Sequence, residues 1–187
     1  GVTSDAQGNT VAGTNAGDSF TGTDAINNTL FGKDVGTAIT TGDSNVAVGY
    51  QAATAITTGE NNIAIGREAL HDQTTVSNNV AIGGYALAQN TSGTSNTAVG
   101  SNTLYDNTSG NQNTAVGFNA LTNNTTAPAN TAVGYKALET TTIGDYNTAV
   151  GANTMDALTS GYHNVAVGYD ALGAASAADY NTAIGKG

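Results

Sequence analysis

One pentapeptide sets the limits on what this chain can become. Asn-(Thr/Val/Ile)-Ala-(Val/Ile)-Gly recurs every 17 residues, without insertion, over most of the 187-residue chain. Its copies run Asn45 to Gly49, Asn62 to Gly66, Asn79 to Gly83, Asn96 to Gly100, Asn113 to Gly117, Asn130 to Gly134, Asn147 to Gly151, Asn164 to Gly168 and Asn181 to Gly185. Asn28 to Gly32 holds the register with two substitutions, and Asn9 to Gly13 is a degenerate copy 19 residues upstream of Asn28. In a globular enzyme each element has different neighbours, so a strict period has no reason to survive. A strict period means that each unit meets only its own kind. The expected organisation is an irregular segment over residues 1–27 with a degenerate first coil, then a ten-coil repeat over 28–187.

The period outweighs composition. Large aliphatics and Phe number 32 of 187, about 17%, and the net charge is −10, a balance that taken alone favours disorder. Composition still excludes several classes. The chain has four Lys and Arg in total, which argues against a nucleic-acid footprint. It has no Cys for disulfides or thiolate metal sites. No apolar run approaches the ~20 residues of a membrane helix, and no targeting peptide is recognisable.

Within each unit the motif reads as a short strand. Side chains alternate across a strand, so its second and fourth residues share one face and its Ala takes the other. The fourth position is always Val or Ile (Val48, Ile65, Ile82 and onward), and is expected to be a buried rank. The second, Thr or Val/Ile, is expected to be half-buried. The Ala rank from Ala47 to Ala183 never exceeds a methyl, which implies a close backbone across a thin core or at a subunit interface. The closing Gly implies a positive φ or no room for Cβ.

A second apolar block, such as Ala86-Leu87 and Ala120-Leu121, follows each motif. The expected unit is therefore two short strands and two Gly/Asn turns, one coil of an all-β solenoid or parallel β-roll. At about 4.8 Å per coil, ten motifs span roughly 43 Å. The motif asparagines should form a hydrogen-bonded column, as in stacked-strand assemblies; the functional alternative for that column is a ligand site. A Gly three residues before the motif is replaced at Val76, Ala127 and Ala178, each 51 residues apart, by a duplicated three-unit block or a special face in every third coil.

Each coil carries about four apolar side chains, two of them Ala, which barely offsets the ordering of 17 residues. A parallel homotrimer is expected to bury the remainder. The chain reaches Gly187 straight after a motif, so it is expected to be a piece of a longer polypeptide or a subunit that stacks end to end in a filament.

Asn130 to Leu138 (Asn-Thr-Ala-Val-Gly-Tyr-Lys-Ala-Leu) and Asn164 to Leu172 (Asn-Val-Ala-Val-Gly-Tyr-Asp-Ala-Leu) resemble two families. One is the YadA-like head repeat of trimeric autotransporter adhesins, a left-handed parallel β-roll. The other is the repeat region of phage tail fibres, including those that end in an endosialidase-type intramolecular chaperone. The resemblance covers Asn28 to Gly185 and implies a rigid, trimeric, surface-exposed fibre or adhesin segment. The unit is longer than is usual for adhesin heads, and residues 1–187 contain no coiled-coil stalk, membrane anchor or chaperone domain. The 17-residue unit is closer to the viral repeats, which favours a tail fibre.

No catalytic constellation, cofactor or metal site is expected. His71 and His163 occupy different positions of the unit and read as solvated loop residues. Asp43, Glu60 and Asp145 follow a turn Gly and read as turn residues, with weak divalent-cation binding as the alternative. Sequons at Asn27, Asn90, Asn107, Asn123 and Asn124 are expected by chance in so Asn/Thr-rich a chain.

The candidate surface-binding residues are Tyr50, Tyr135 and Tyr169. They share the position after the motif Gly with Lys33, Arg67, Gly84, Ser101, Phe118, Ala152 and Lys186, a tolerance that marks an exposed rank. Tyr146 and Tyr180, just before motif asparagines, are expected to pack on the turn. Three functions follow: a structural fibre segment of an extracellular or virion appendage, a glycan- or receptor-binding head using exposed Tyr and Asn/Thr ranks, and ice binding by a Thr ladder. Against the third, the Thr column is broken by Val and Ile. The expected setting is extracellular, on a cell surface or virion, with other copies of the chain and a surface glycan or receptor as partners.

Overall fold

The computed structural model describes residues 1–20 and 24–187. Residues 21–23 of the irregular N-terminal segment lie outside the described residues. Among the described residues the chain is an all-β solenoid of twelve strands in one sheet, ordered as in the sequence. The strands are β1 (Thr3–Ser4), β2 (Thr10–Ala12), β3 (Thr29–Phe31), β4 (Val46–Val48), β5 (Ile63–Ile65), β6 (Val80–Ile82), β7 (Thr97–Val99), β8 (Thr114–Val116), β9 (Thr131–Val133), β10 (Thr148–Val150), β11 (Val165–Val167) and β12 (Thr182–Ile184). From β3 onward each strand pairs in parallel with the residue 17 positions along, for example Ala98↔Ala115. The 19-residue first interval is absorbed between β2 and β3, which pair Thr10↔Thr29. β1 folds back antiparallel over β2.

Two expectations are corrected. Each coil has one strand, not two. The Ala-Leu block does bond coil to coil, as Leu104 N–H donates to the Ala120 carbonyl (3.1 Å) and Asn102 N–H to Gly84 (3.0 Å). Its backbone, however, visits the left-handed region at alternate residues, such as Asn102 (φ 55°) and Leu104 (φ 50°). That conformation costs roughly 1–2 kcal/mol per residue. Burial of the Leu and the hydrogen bonds to both neighbouring coils offset it, and the result is a tight bend instead of a second strand.

The second correction concerns the faces of the motif. Ala is the core residue: Ala47, Ala81, Ala98, Ala115, Ala132, Ala149 and Ala166 are fully buried. The Val/Ile rank faces outward, with Val48 36% and Ile82 37% exposed. The motif Ala looks across a narrow interior filled by Leu70, Leu87, Leu104, Leu121, Leu138 and Met155, each at 0%. The thin core, not a subunit interface, holds this rank to a methyl. The β-branched residues suit the pleated outer surface, where each packs on the equivalents above and below. With the half-buried second rank they leave one unpartnered apolar face along the sheet.

Candidate functional site

The motif asparagines stack in one column, buried from Asn9 to Asn164 and exposed at the last, Asn181. Each backbone N–H donates to Oδ1 of the preceding asparagine, as Asn113 does to Asn96 and Asn130 to Asn113 (both 2.9 Å). From Asn28 to Asn164 each side-chain Nδ2 donates to the carbonyl fourteen residues on, as Asn113 does to Ala127 (2.9 Å). Val76, Ala127 and Ala178 accept this bond as the glycines in their rank do, so the 51-residue interruption leaves the column intact. At the N-terminal end the first acceptor is a carboxylate. Asp5 receives both Asn9 N–H (2.8 Å) and Asn9 Nδ2 (2.9 Å). The side-chain bond from Asn9 is the largest cause that holds the Asp5 carboxyl below its ordinary pKa. From Asn9 to Asn164 the Oδ1 and Nδ2 of each motif asparagine are used within the column and its backbone, which makes it a scaffold.

The closing glycines are required twice over. Gly49 has φ 132°, and a Cβ there would lie 2.6 Å from the Gly66 carbonyl oxygen of the next coil. Gly66, Gly83, Gly100, Gly117, Gly134, Gly151 and Gly168 repeat the pattern, while Gly185 keeps the positive φ with open space beside it.

A second buried amide column was not anticipated. Gln73, Asn90, Asn107 and Asn124 occupy one rank of the interior, each at 0%. Asn107 Nδ2 donates to Asn90 Oδ1 (2.9 Å) and Asn124 Nδ2 to Asn107 Oδ1 (2.7 Å). The column stops at Asn124 Oδ1, a buried acceptor without a partner. Three asparagines recurring at a 17-residue spacing were the available signal. Asn90, Asn107 and Asn124 are also sequon residues, and their burial leaves no access for glycosylation in the folded chain.

Tyr50, Tyr135 and Tyr169 lie in one outward column and are exposed at 41%, 49% and 54%. The fold does not bring all three together: Tyr50 and Tyr135 are five coils apart, about 24 Å at the spacing of parallel strands. Each ring has a cationic neighbour, Lys33 5.8 Å from Tyr50, Lys136 5.7 Å from Tyr135 and Lys186 5.9 Å from Tyr169. Phe118 stacks on Tyr135 at 5.9 Å. The column is a run of surface ring and cation contacts, each worth ~0.5–1 kcal/mol at exposed sites.

Tyr146 and Tyr180 stack on the ring of His163 between them, at 5.0 and 5.2 Å, and Tyr162 meets His163 edge-on at 5.8 Å. Asp179, the largest cause, together with Tyr180 and Asp145, raises the Tyr162 hydroxyl pKa. His71 lies elsewhere, paired with Asp72 at 2.6 Å. Asp43 ties adjacent coils together, accepting the N–H of Ile26, seventeen residues back, at 2.8 Å.

A concavity opens on the surface of the middle coils. Tyr85, Asn102, Tyr105, Asn119 and Thr122 line an open cleft of about 410 Å³. Tyr85 and Tyr105 come from successive coils and meet edge to face, with centroids 6.3 Å apart and planes at 66°. Arg67 sits over the Tyr85 ring at 5.2 Å and bonds Glu68 at 2.9 Å, which raises the guanidinium pKa. Asn102 Nδ2 donates to Asn119 Oδ1 (3.3 Å), Asn119 Nδ2 to Glu139 Oε1 (3.1 Å), and Glu139 pairs with Lys136 (3.2 Å). Thr122 Oγ1 donates to the Asn102 carbonyl (2.9 Å). The site is legible only by contrast between coils: the rank after the motif Gly falls to Gly84 and Ser101 here.

Comparison of the chain with protein-family models, with curated proteins and with solved structures finds no match to any of them.

Proposed function

We propose that this chain is a rigid segment of an extracellular or virion fibre, a tail-fibre or adhesin shaft, in which three parallel copies pack along their sheet faces. The observation that carries the reading is the outward strip of Val and Ile from Val48 to Ile184 on an uninterrupted parallel sheet. Water-exposed β-branched side chains in a continuous row mark a surface that gains by being covered. The strip bears no charge, so three copies of a −10 chain can meet there without placing like charges face to face. Covering it also supplies the apolar burial that a single thin core lacks. Strict regularity suits a spacer, since each coil meets only its neighbours and the same contacts repeat along the length.

The test is the mass in solution. Light scattering on the 18.5 kDa chain should return three times that mass. Asp placed at Val99 and Val133 should return the single chain while leaving the strand signal in circular dichroism intact. A stable monomer for the unaltered chain contradicts the trimer.

A second reading, a glycan- or receptor-binding head, is favoured by the exposure of Tyr50, Tyr135 and Tyr169. Under it, replacing Tyr135 and Tyr169 by Ala removes binding to cells or glycans. A shaft without a head function shows no binding that depends on Tyr135 and Tyr169.

A further inference from the structure

We infer that the cleft between Tyr85 and Tyr105 is a binding site for a small neutral saccharide, apart from the tyrosine column of the second reading. The cleft exists because two outward columns shrink in adjoining coils. The position after the motif Gly is Arg67, then Gly84 and Ser101, then Phe118. The column that carries Tyr105 has Ala88 in the coil before it. The resulting hollow, about 410 Å³, falls within the roughly 300–1,000 Å³ of small-molecule sites.

Its lining has the mixture that a sugar requires. Two aromatic rings set at 66° form a corner of apolar walls, against which the C–H face of a pyranose can lie. The polar groups are amides and hydroxyls, each able to serve the paired donor and acceptor character of a sugar hydroxyl. Their orientation is fixed from behind. Lys136 holds Glu139, Glu139 accepts from Asn119, and Asn119 accepts from Asn102. That chain leaves Asn102 Oδ1 free as an acceptor and one N–H of each amide free as a donor. No charged side chain lines the cleft. A phosphate or carboxylate ligand would call for Arg or Lys facing it, and Arg67 is engaged by Glu68 and the Tyr85 ring. Arg67 instead stiffens Tyr85 from the preceding coil, which lowers the ordering cost of binding.

The test uses the full 187-residue chain and saturation-transfer NMR with the methyl glycosides of glucose, galactose, mannose and N-acetylglucosamine. At about 10 mM probe, at least one should show transfer, as expected for a small open site of about millimolar Kd. Tyr85→Ala and Tyr105→Ala should each weaken it about tenfold or more, whereas the Tyr135→Ala, Tyr169→Ala pair should leave it unchanged. Asn102→Ala removes the free acceptor from a half-buried surface position and should also weaken binding about tenfold. It decides the matter by itself if either tyrosine variant loses its circular-dichroism signal. No transfer from any of the glycosides overturns the assignment, and so does transfer that survives Asn102→Ala. Loss only in the Tyr135, Tyr169 pair overturns it in favour of the outer column and leaves the head-domain reading standing.

Discussion

The two amide columns of this solenoid are built from the same side chain, yet one runs through every coil and the other through only four. The motif column reaches from Asn9 to Asn181. The inner column begins at Gln73 and ends at Asn124, and hydrophobic Ile39, Ile56 and Leu158 or Thr141 take its place elsewhere in the same rank. The difference lies in what each side chain is the sole partner of. In the motif column Oδ1 receives the buried backbone N–H of the next asparagine, a donor the parallel ladder leaves unserved. Unpaired buried N–H groups are costly, so every coil needs its asparagine. In the inner column the carbonyls at Gly93, Gly110 and Ala127 already accept a bond from the motif asparagine, and the inner amide adds a second. Where that second bond is missing, Gly42, Gly59, Gly144 and Gly161 still have their motif donor. A hydrocarbon can therefore replace the inner amide without stranding the backbone.

The ends differ as well. The motif column starts on a carboxylate, Asp5, which accepts without needing to donate. The inner column ends on Asn124 Oδ1 with nothing to accept from. A self-propagating column concentrates its cost at its ends, and only one of these two has its N-terminal end closed by an ionised group.

That contrast can be broken by substitution. Asn113→Ala removes the acceptor for the Asn130 N–H and should cost about 3 kcal/mol in urea unfolding, combining a stranded donor with a small cavity. A loss below about 1 kcal/mol would mean that the column is ornament. Asn107→Leu, in the middle of the inner column, should cost only about 1 kcal/mol. Gly110 keeps its bond from Asn96, and Asn90 Oδ1 keeps its bond from the Gly93 N–H. If the two substitutions cost the same, the distinction between sole and shared partners fails. Smallest of all is Asn124→Leu. It removes one unpaired acceptor and exposes another at Asn107 while adding apolar burial, so thermal unfolding should shift by no more than about 0.5 kcal/mol in either direction.

Much of this was legible in the residues. The period fixes the parallel pairing and its register, since equal units stacked on one another can pair only with themselves. The motif Asn and Gly could be assigned because their requirements are local to the stacking itself. The faces of the strand were not legible. Val48 and Ile82 look like core when judged by size, and the methyl limit at Ala47 and Ala81 left a thin core and a subunit interface equally open; size is set by the width of the interior, and here the Leu87 rank fills it from the other side. The bend at Asn102 and Leu104 was hidden for a related reason. Leu is a poor candidate for positive φ, and only bonds to the coils on either side hold it there. The Tyr85–Tyr105 cleft depends on which coils carry the small residues, a property of pairs of units and not of the repeat.

The claim beneath all of this is that each unit sits directly on the one 17 residues away. The chain has no Cys, so introduced pairs report cleanly. Thr114 and Thr131 are register partners on the outer face, with Cα atoms expected at about 4.8 Å, inside the roughly 4.4–6.8 Å that a disulfide spans. The pair Thr114→Cys, Thr131→Cys should oxidise within a single chain, seen as the loss of two hydrogens in intact mass and an unchanged monomer band under denaturing, non-reducing conditions. Thr114→Cys with Val133→Cys, one coil up and two residues along at about 8 Å, should remain reduced. Ready closure of the second pair and refusal of the first would contradict the stacking on which the rod, the columns and the cleft all depend.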